Sequence, residues 1–151
     1  MVRRLARGLA AGATGTVALE LTTYLDMLIR GRPPSDQPQR LGEALGDRIG
    51  VPLGTGQAAR SRRSGLGSAS GYLDGLALPM LYAALAPRRD RPVLAAALLL
   101  SVGAMIGSNG PAVALGLTNP REWSLDDWLT DAIPHLVYGF VAATTYELLS
   151  E

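Results

Sequence analysis

The sequence predicts an all-α integral membrane four-helix bundle with a short peripheral amphipathic helix. Four long apolar runs, glycines that recur every four residues and a pair of tryptophans beside the last run lead to this prediction. Apolar residues make up 48% of the 151 residues, but aromatic residues make up only 5%. The apolar mass is therefore small and aliphatic, which suits close helix packing in a bilayer. We expect one membrane domain over residues 1–151.

The first predicted span, residues 8–29, lies between Arg7 and Arg30. As a helix it is about 33 Å long, enough to cross a bilayer core. The basic residues before it also permit a signal peptide. A span is favoured because the apolar run continues past any cleavage site and contains Glu20.

A polar segment rich in Pro, Gly and Arg follows at residues 31–64. Within it, Leu41, Leu45 and Ile49 recur at helical spacing. This predicts an amphipathic helix over about residues 37–49, lying on the bundle or in the membrane interface.

The second predicted span covers residues 65–86. Pro79 inside it removes one backbone hydrogen bond and is expected to bend the helix near Gly75. The charged stretch "PRRDRP" that follows predicts a tight turn, with Asp90 as the N-cap of the next helix.

The third and fourth predicted spans are 92–108 and 132–149. The third either continues past Pro111 to residue 117 or ends before a short re-entrant piece. Before the fourth lie the only tryptophans, Trp123 and Trp128, which mark a membrane–water boundary. We expect Asp131 to cap the fourth helix.

Four spans put both termini on one side of the membrane. The loops on that side carry six arginines and those on the other side carry eight. We expect a multi-pass protein of the bacterial cytoplasmic (inner) membrane with N-in/C-in topology, favoured by the short basic turn and the acidic last connector. The near balance also permits dual topology, with antiparallel copies pairing.

Glycines four residues apart line one face of three predicted spans. Each such face lets another helix approach closely, so we expect helix packing within the bundle or between copies. The alternative is a pore or ligand groove. The residues are Gly8, Gly12, Gly67, Gly71, Gly75, Gly103 and Gly107.

Two carboxylates, Glu20 and Asp74, fall near the centres of predicted spans. A charge there costs several kcal/mol, so these residues should face the interior, pair, or stay protonated. Glu20 is either satisfied by nearby hydroxyls (Thr16, Thr23, Tyr24) or forms a proton or cation site. Asp26 precedes Arg30 by four residues, the spacing of a helical ion pair.

The motif "DAIPHLVYGF" supplies a second candidate polar site at Asp131, His135 and Tyr138. An Asp–His pair can hold a proton near neutral pH, although a local cap at a helix start is the alternative. Ser108 and Asn109 are available to join a polar interior, but their spacing does not require it.

Several function classes lack support in the sequence. There is no cysteine and only one histidine, so no metal site or haem attachment is expected. The net charge of +1 argues against a nucleic-acid partner. No nucleotide loop or nucleophile–base set occurs, so we expect no cofactor and no enzyme.

The tail "WLTDAIPHLVYGF" resembles the closing helix of YagU-like bacterial inner-membrane proteins, whose function is uncharacterised. The stretches "YLDM…RGRP" and "GSNGPAVALGLTNPREWS" resemble hypothetical four-helix membrane proteins. These resemblances imply four spans and a membrane location, without a reaction. Four short helices with a glutamate in the first are also similar to small multidrug-resistance transporters.

We therefore expect a structural or accessory membrane subunit that packs through its glycine faces. Its partners would be the lipid bilayer and either itself or another membrane protein. The alternative is a small proton- or cation-coupled transporter that uses Glu20, together with Asp74 and His135.

Overall fold

The computed structural model describes residues 1–85 and 92–151, and these residues are helical with no β-strand. The predicted "PRRDRP" turn, the Asp90 cap and the end of the second predicted span lie outside the described residues. A 3₁₀ turn, Pro120–Glu122, precedes the last helix. The helices are α1 (Val2–Arg30), α2 (Gln37–Ile49), α3 (Gly56–Leu85), α4 (Val93–Ala114) and α5 (Leu125–Leu148).

The four long helices form a ring in the order α1, α3, α4, α5, with each helix antiparallel to its neighbours. Hydrogen bonds between side chains at the same level of the bundle identify which helices are neighbours. Thr14 of α1 meets Thr145 of α5, and Asn109 of α4 meets Asp131 of α5. Packing is more extensive around α1 and α5 than between α3 and α4. We call the end of the bundle that carries α2, the end of α1 and the start of α5 the α2 end.

The amphipathic helix expected at residues 37–49 is α2. It ends at Ile49 and is capped by Gly50, whose φ of 70° is left-handed. Glycine adopts this conformation readily because glycine has no Cβ. α2 packs on the first turns of α3, where Pro38 lies against Gly67. The Arg63 guanidinium of α3 also pairs with Glu43 of α2 at 2.7 Å.

Three helices begin earlier than the predicted spans, and the first of them, α1, begins at Val2 and not at residue 8. α3 begins at Gly56 and not at residue 65, since its added turns lie under α2 and bury Ala59. α5 begins at Leu125 and not at residue 132, so the prediction that Asp131 caps this helix is wrong. Asp131 lies in the second turn of α5, inside the helix.

Ser124 caps α5 through reciprocal hydrogen bonds with Asp127. The Ser124 Oγ accepts from the Asp127 backbone N–H at 3.1 Å, and the Asp127 carboxylate accepts from the Ser124 N–H at 2.8 Å. This is a capping box with Asp in place of Glu.

α4 continues through Pro111 to Ala114, so the alternative of a helix that ends before residue 111 is wrong. The helix stops before residue 117 because the chain turns at Gly116, with φ 69°. By length and composition, α4 alone among the described helices is long and apolar enough to cross a membrane.

The interior of the bundle is built from small side chains, and the large apolar side chains point outward. Among the described residues, most buried apolar residues are alanines, joined by Tyr138 and by the leucines Leu41, Leu53 and Leu100. Many other leucines are exposed, as Leu28 at 79% and Leu73 at 68% show. The polar side chains buried in the described part of the chain are Thr16, Ser101, Asn109 and His135.

The predicted packing glycines face a neighbouring helix, with one exception. A Cβ added at Gly12 would lie 2.7 Å from the Gly75 carbonyl oxygen, and one at Gly103 would lie 3.0 Å from Leu78. Gly71 has open space at its Cα, so its expected packing role is not found. It lies between the stretch of α3 that α2 covers, at Gly67, and the stretch that α1 covers, at Gly75.

The contrast between Gly12 and Gly71 gives a matched pair of substitutions. Gly12→Ala should destabilise the protein by about 1–3 kcal/mol, because the added methyl collides with the backbone of α3. Gly71→Ala should be neutral or stabilising by up to about 1 kcal/mol, since alanine favours helix over glycine. Thermal unfolding in mild detergent measures both. Equal effects of the two variants would contradict this packing.

Candidate functional site

A chain of hydrogen-bonded polar side chains leads from α2 into the bundle. Gln37 of α2 donates to the Asn109 side-chain oxygen at 3.0 Å, and the Asn109 amide donates to the Asp131 carboxylate at 2.9 Å. This chain joins α2, α4 and α5. Asn109 is 8% exposed, so both ends of its amide are satisfied by protein groups, as burial requires.

His135 is the next residue inward and is 8% exposed. Its Nδ1 lies 2.7 Å from the Asp131 backbone carbonyl oxygen and 3.6 Å from the Asp131 carboxylate. Its Nε2 lies 3.2 Å from the Ser108 Oγ. Since a carbonyl only accepts, Nδ1 carries a proton and donates.

The surroundings of His135 suit both of its protonation states. When the ring is neutral, the Ser108 hydroxyl donates to Nε2. When the ring is protonated, Nε2 donates to Ser108, whose hydroxyl then turns to the Met105 carbonyl oxygen at 3.3 Å. A rotation of one hydroxyl therefore satisfies either form. The neighbouring Asp131 carboxylate offsets the positive charge.

Asp74 of α3 reaches the same region from the other side. A Cβ at Gly107 of α4 would lie 2.0 Å from the Asp74 Oδ1, so the missing side chain at Gly107 makes room for this carboxylate. Asp74 interacts electrostatically with both His135 and Tyr138. The structure thus brings together four of the five predicted site residues: Asp74, Asp131, His135 and Tyr138.

Tyr138 lies one turn beyond His135 on α5, at the centre of the bundle, and is 1% exposed. Its hydroxyl donates to the Gly75 carbonyl oxygen at 2.8 Å. Four residues on, Pro79 has no N–H, so it leaves this carbonyl without its helical partner. Tyr138 supplies the missing donor from the opposite side of the ring.

Glu20, the fifth predicted residue, is not part of this site. Its carboxylate pairs with the Tyr72 side chain of α3. Thr16, one turn away, has a buried hydroxyl with no hydrogen-bond partner in the described residues. The partner that satisfies Glu20 comes from another helix, and none of the three hydroxyls expected from α1 supplies it.

Asp26 pairs with Arg30 as the sequence predicted, with 2.7 Å between the Arg30 Nε and the Asp26 Oδ1. The Arg32 guanidinium contacts the same carboxylate. Arg30 also pairs with Asp126 of α5, and so joins the end of α1 to the start of α5.

The sequence did not identify Gln37 as a member of the site, and it left open whether Ser108 and Asn109 belong to it. A usable signal was that α4 and α5 are linked by a short connector and are therefore antiparallel neighbours. That arrangement places Asn109 beside Asp131 and Ser108 beside His135. Gln37 carries no comparable signal, because its contact depends on how α2 folds back over α4.

No group of three or more His, Asp or Glu residues in the described chain is placed to hold a metal ion. The arrangement suits proton binding, since it contains one imidazole and two carboxylates on two helices, α3 and α5. No protein-family model, no curated protein and no solved structure matches this chain.

The hydrogen bond from Tyr138 to Gly75 gives a double-mutant test. Tyr138→Phe should destabilise the protein by about 1–3 kcal/mol, because the buried Gly75 carbonyl loses its donor. In a Pro79→Ala background, the new backbone N–H can bond that carbonyl, so the same substitution should cost clearly less. Thermal unfolding measures the cycle, with Tyr24→Phe as an exposed control. An equal cost in both backgrounds would contradict the assigned role of Tyr138.

Proposed function

We propose that this chain is a multi-pass protein of the bacterial cytoplasmic membrane, in which α1, α3 and α5 cross the bilayer beside α4, the described helix that alone meets the length and composition criterion. The distribution of side chains carries the proposal. A water-soluble bundle buries its leucines, whereas here alanine, glycine and polar residues make up most of the interior and many leucines are exposed. Lipid favours this arrangement, because exposed leucines cost nothing there and small residues allow close packing.

Two further observations agree with this location. Trp123 and Trp128 pack edge to face at 4.9 Å beside the α2 end, and tryptophans prefer the membrane–water boundary. The charged side chains of Asp26, Arg30 and Asp126 gather at the same end. The resemblance to YagU-like inner-membrane proteins and the N-in/C-in topology remain parts of this proposal.

Fractionation of expressing cells tests the membrane location. The protein should stay in the membrane pellet after extraction with alkaline carbonate and should dissolve only with detergent. A protein that is soluble and monodisperse without detergent would rule out the membrane proposal.

Within this membrane bundle, we infer that the site around His135 takes up and releases a proton. Imidazole changes its charge in the physiological pH range. The polar chain approaches His135 from the α2 end through Gln37 and Asn109. Beyond Tyr138 the core continues as alanines with Leu100. Access from one end suits proton-coupled transport in which a second conformation opens the other end.

Proton flux into proteoliposomes tests the role of His135. His135→Gln should reduce proton-coupled flux at least about tenfold, because glutamine cannot take up a proton, and general acid–base groups commonly contribute more than this. Glu20→Gln is the matched control and should retain flux, since Glu20 lies outside the site. Loss of flux in Glu20→Gln with flux retained in His135→Gln would contradict this role of His135. It would assign proton binding to Glu20, as in the transporter alternative predicted from the sequence.

An accessory role remains a second candidate, favoured by one observation. Gly71 is the member of the glycine set whose Cα faces open space, so this face of α3 is free for another helix. The other glycines of the set already pack against neighbouring helices of the same chain. Purification in mild detergent should then yield a stoichiometric membrane partner that a Gly71→Leu variant loses.

A further inference from the structure

A cleft of about 210 Å³ lies between α1 and α5 at the α2 end. We call the apolar part of its lining, which includes Leu129, Ile133 and Pro134, the floor. We call the charged part, which includes Arg30 and Asp126, the rim. An apolar floor beside a charged rim fits an amphipathic molecule.

The hydrogen-bonding capacity of the rim determines which headgroup fits. Most donors of Arg30 are occupied: Nε lies 2.7 Å from Asp26 Oδ1, Nη2 lies 3.0 Å from Asp26 Oδ2, and the guanidinium also contacts Thr130. Asp126 uses Oδ1 for Arg30, and its side chain is 69% exposed. Within the described residues, its Oδ2 has no partner. The rim therefore has a free acceptor on Asp126 and one free donor on Arg30, which calls for a headgroup that both donates and accepts.

We propose that this cleft binds a phospholipid with a primary ammonium headgroup, such as phosphatidylethanolamine. This inference rests on the proposed membrane location. One acyl chain lies on the Leu129 and Ile133 floor, and the ammonium donates to Asp126. The phosphate of the same headgroup lies beside the Arg30 guanidinium, which has one donor left.

Other common headgroups fit the rim less well. A choline headgroup has no N–H and cannot donate to Asp126. Arg30 and Arg32 already balance Asp26 and Asp126, so the rim has no net positive charge to offset an anionic glycerol headgroup. The charge pattern therefore favours the zwitterionic lipid that carries N–H donors.

The two tryptophans, the only ones in the chain, report on this site through their fluorescence. The protein is placed in phosphatidylcholine bilayers that contain a fixed fraction of one brominated lipid, which quenches tryptophans it contacts. The lipids compared are phosphatidylethanolamine, phosphatidylcholine and phosphatidylglycerol. The apparent affinity measured from quenching should be about threefold or more higher for brominated phosphatidylethanolamine than for the other two lipids. One additional charge-assisted hydrogen bond is enough to give this difference.

Asp126→Asn should remove this preference while the helical circular dichroism stays unchanged. The matched control is Glu122→Gln, an exposed acid in the same connector, which should keep the preference. Equal quenching by all three lipids, stronger quenching by phosphatidylglycerol, or a preference that survives Asp126→Asn would each overturn the lipid site. Absence of quenching by every brominated lipid would overturn the membrane proposal itself, and the lipid site with it.

Discussion

The fold depends on how closely the helix backbones approach each other. At the main contacts one helix presents a residue without a side chain, as Gly12 does toward α3 and Gly139 does toward α4. A Cβ at Gly139 would lie 2.3 Å from the Ala97 carbonyl oxygen. Such contacts leave little room for large side chains between the helices, so many leucines face outward. The exposed apolar surface is thus a consequence of the close packing.

Close packing also explains why polar groups are satisfied across helices. The Gly75 carbonyl, which lacks its helical donor because of Pro79, lies within reach of the Tyr138 hydroxyl at 2.8 Å. The Asp74 carboxylate fits against α4 only because residue 107 is glycine. A buried polar group without a partner costs about 1–3 kcal/mol, so the Tyr138 hydrogen bond stabilises the bundle across helices.

Sequence patterns predicted the helical class, α2 and most of the packing glycines, because each of these is encoded within one helix. The same holds for Asp131, His135 and Tyr138, which share one face of α5. Helix starts were less predictable. Residues 56–64 look polar in isolation and are helical because α2 packs on them.

The choice of Glu20 as the leading candidate shows what a single sequence does not contain. α1 lies diagonally across the ring from α4, so a residue on α1 does not reach Asn109 or Ser108. Glu20 instead faces Tyr72 of α3. The ring order of the helices decides which acid joins the histidine, and hydropathy carries no information about that order.

The state of the single histidine in lipid bilayers tests the central claim most directly. Nitrogen-15 NMR of histidine-labelled protein gives one residue's signals without ambiguity, since His135 is the only histidine. The structure predicts that the neutral ring carries its proton on Nδ1 and that acidification reversibly adds a second proton at Nε2. A neutral ring protonated on Nε2, or a ring that does not respond to pH, would contradict the account.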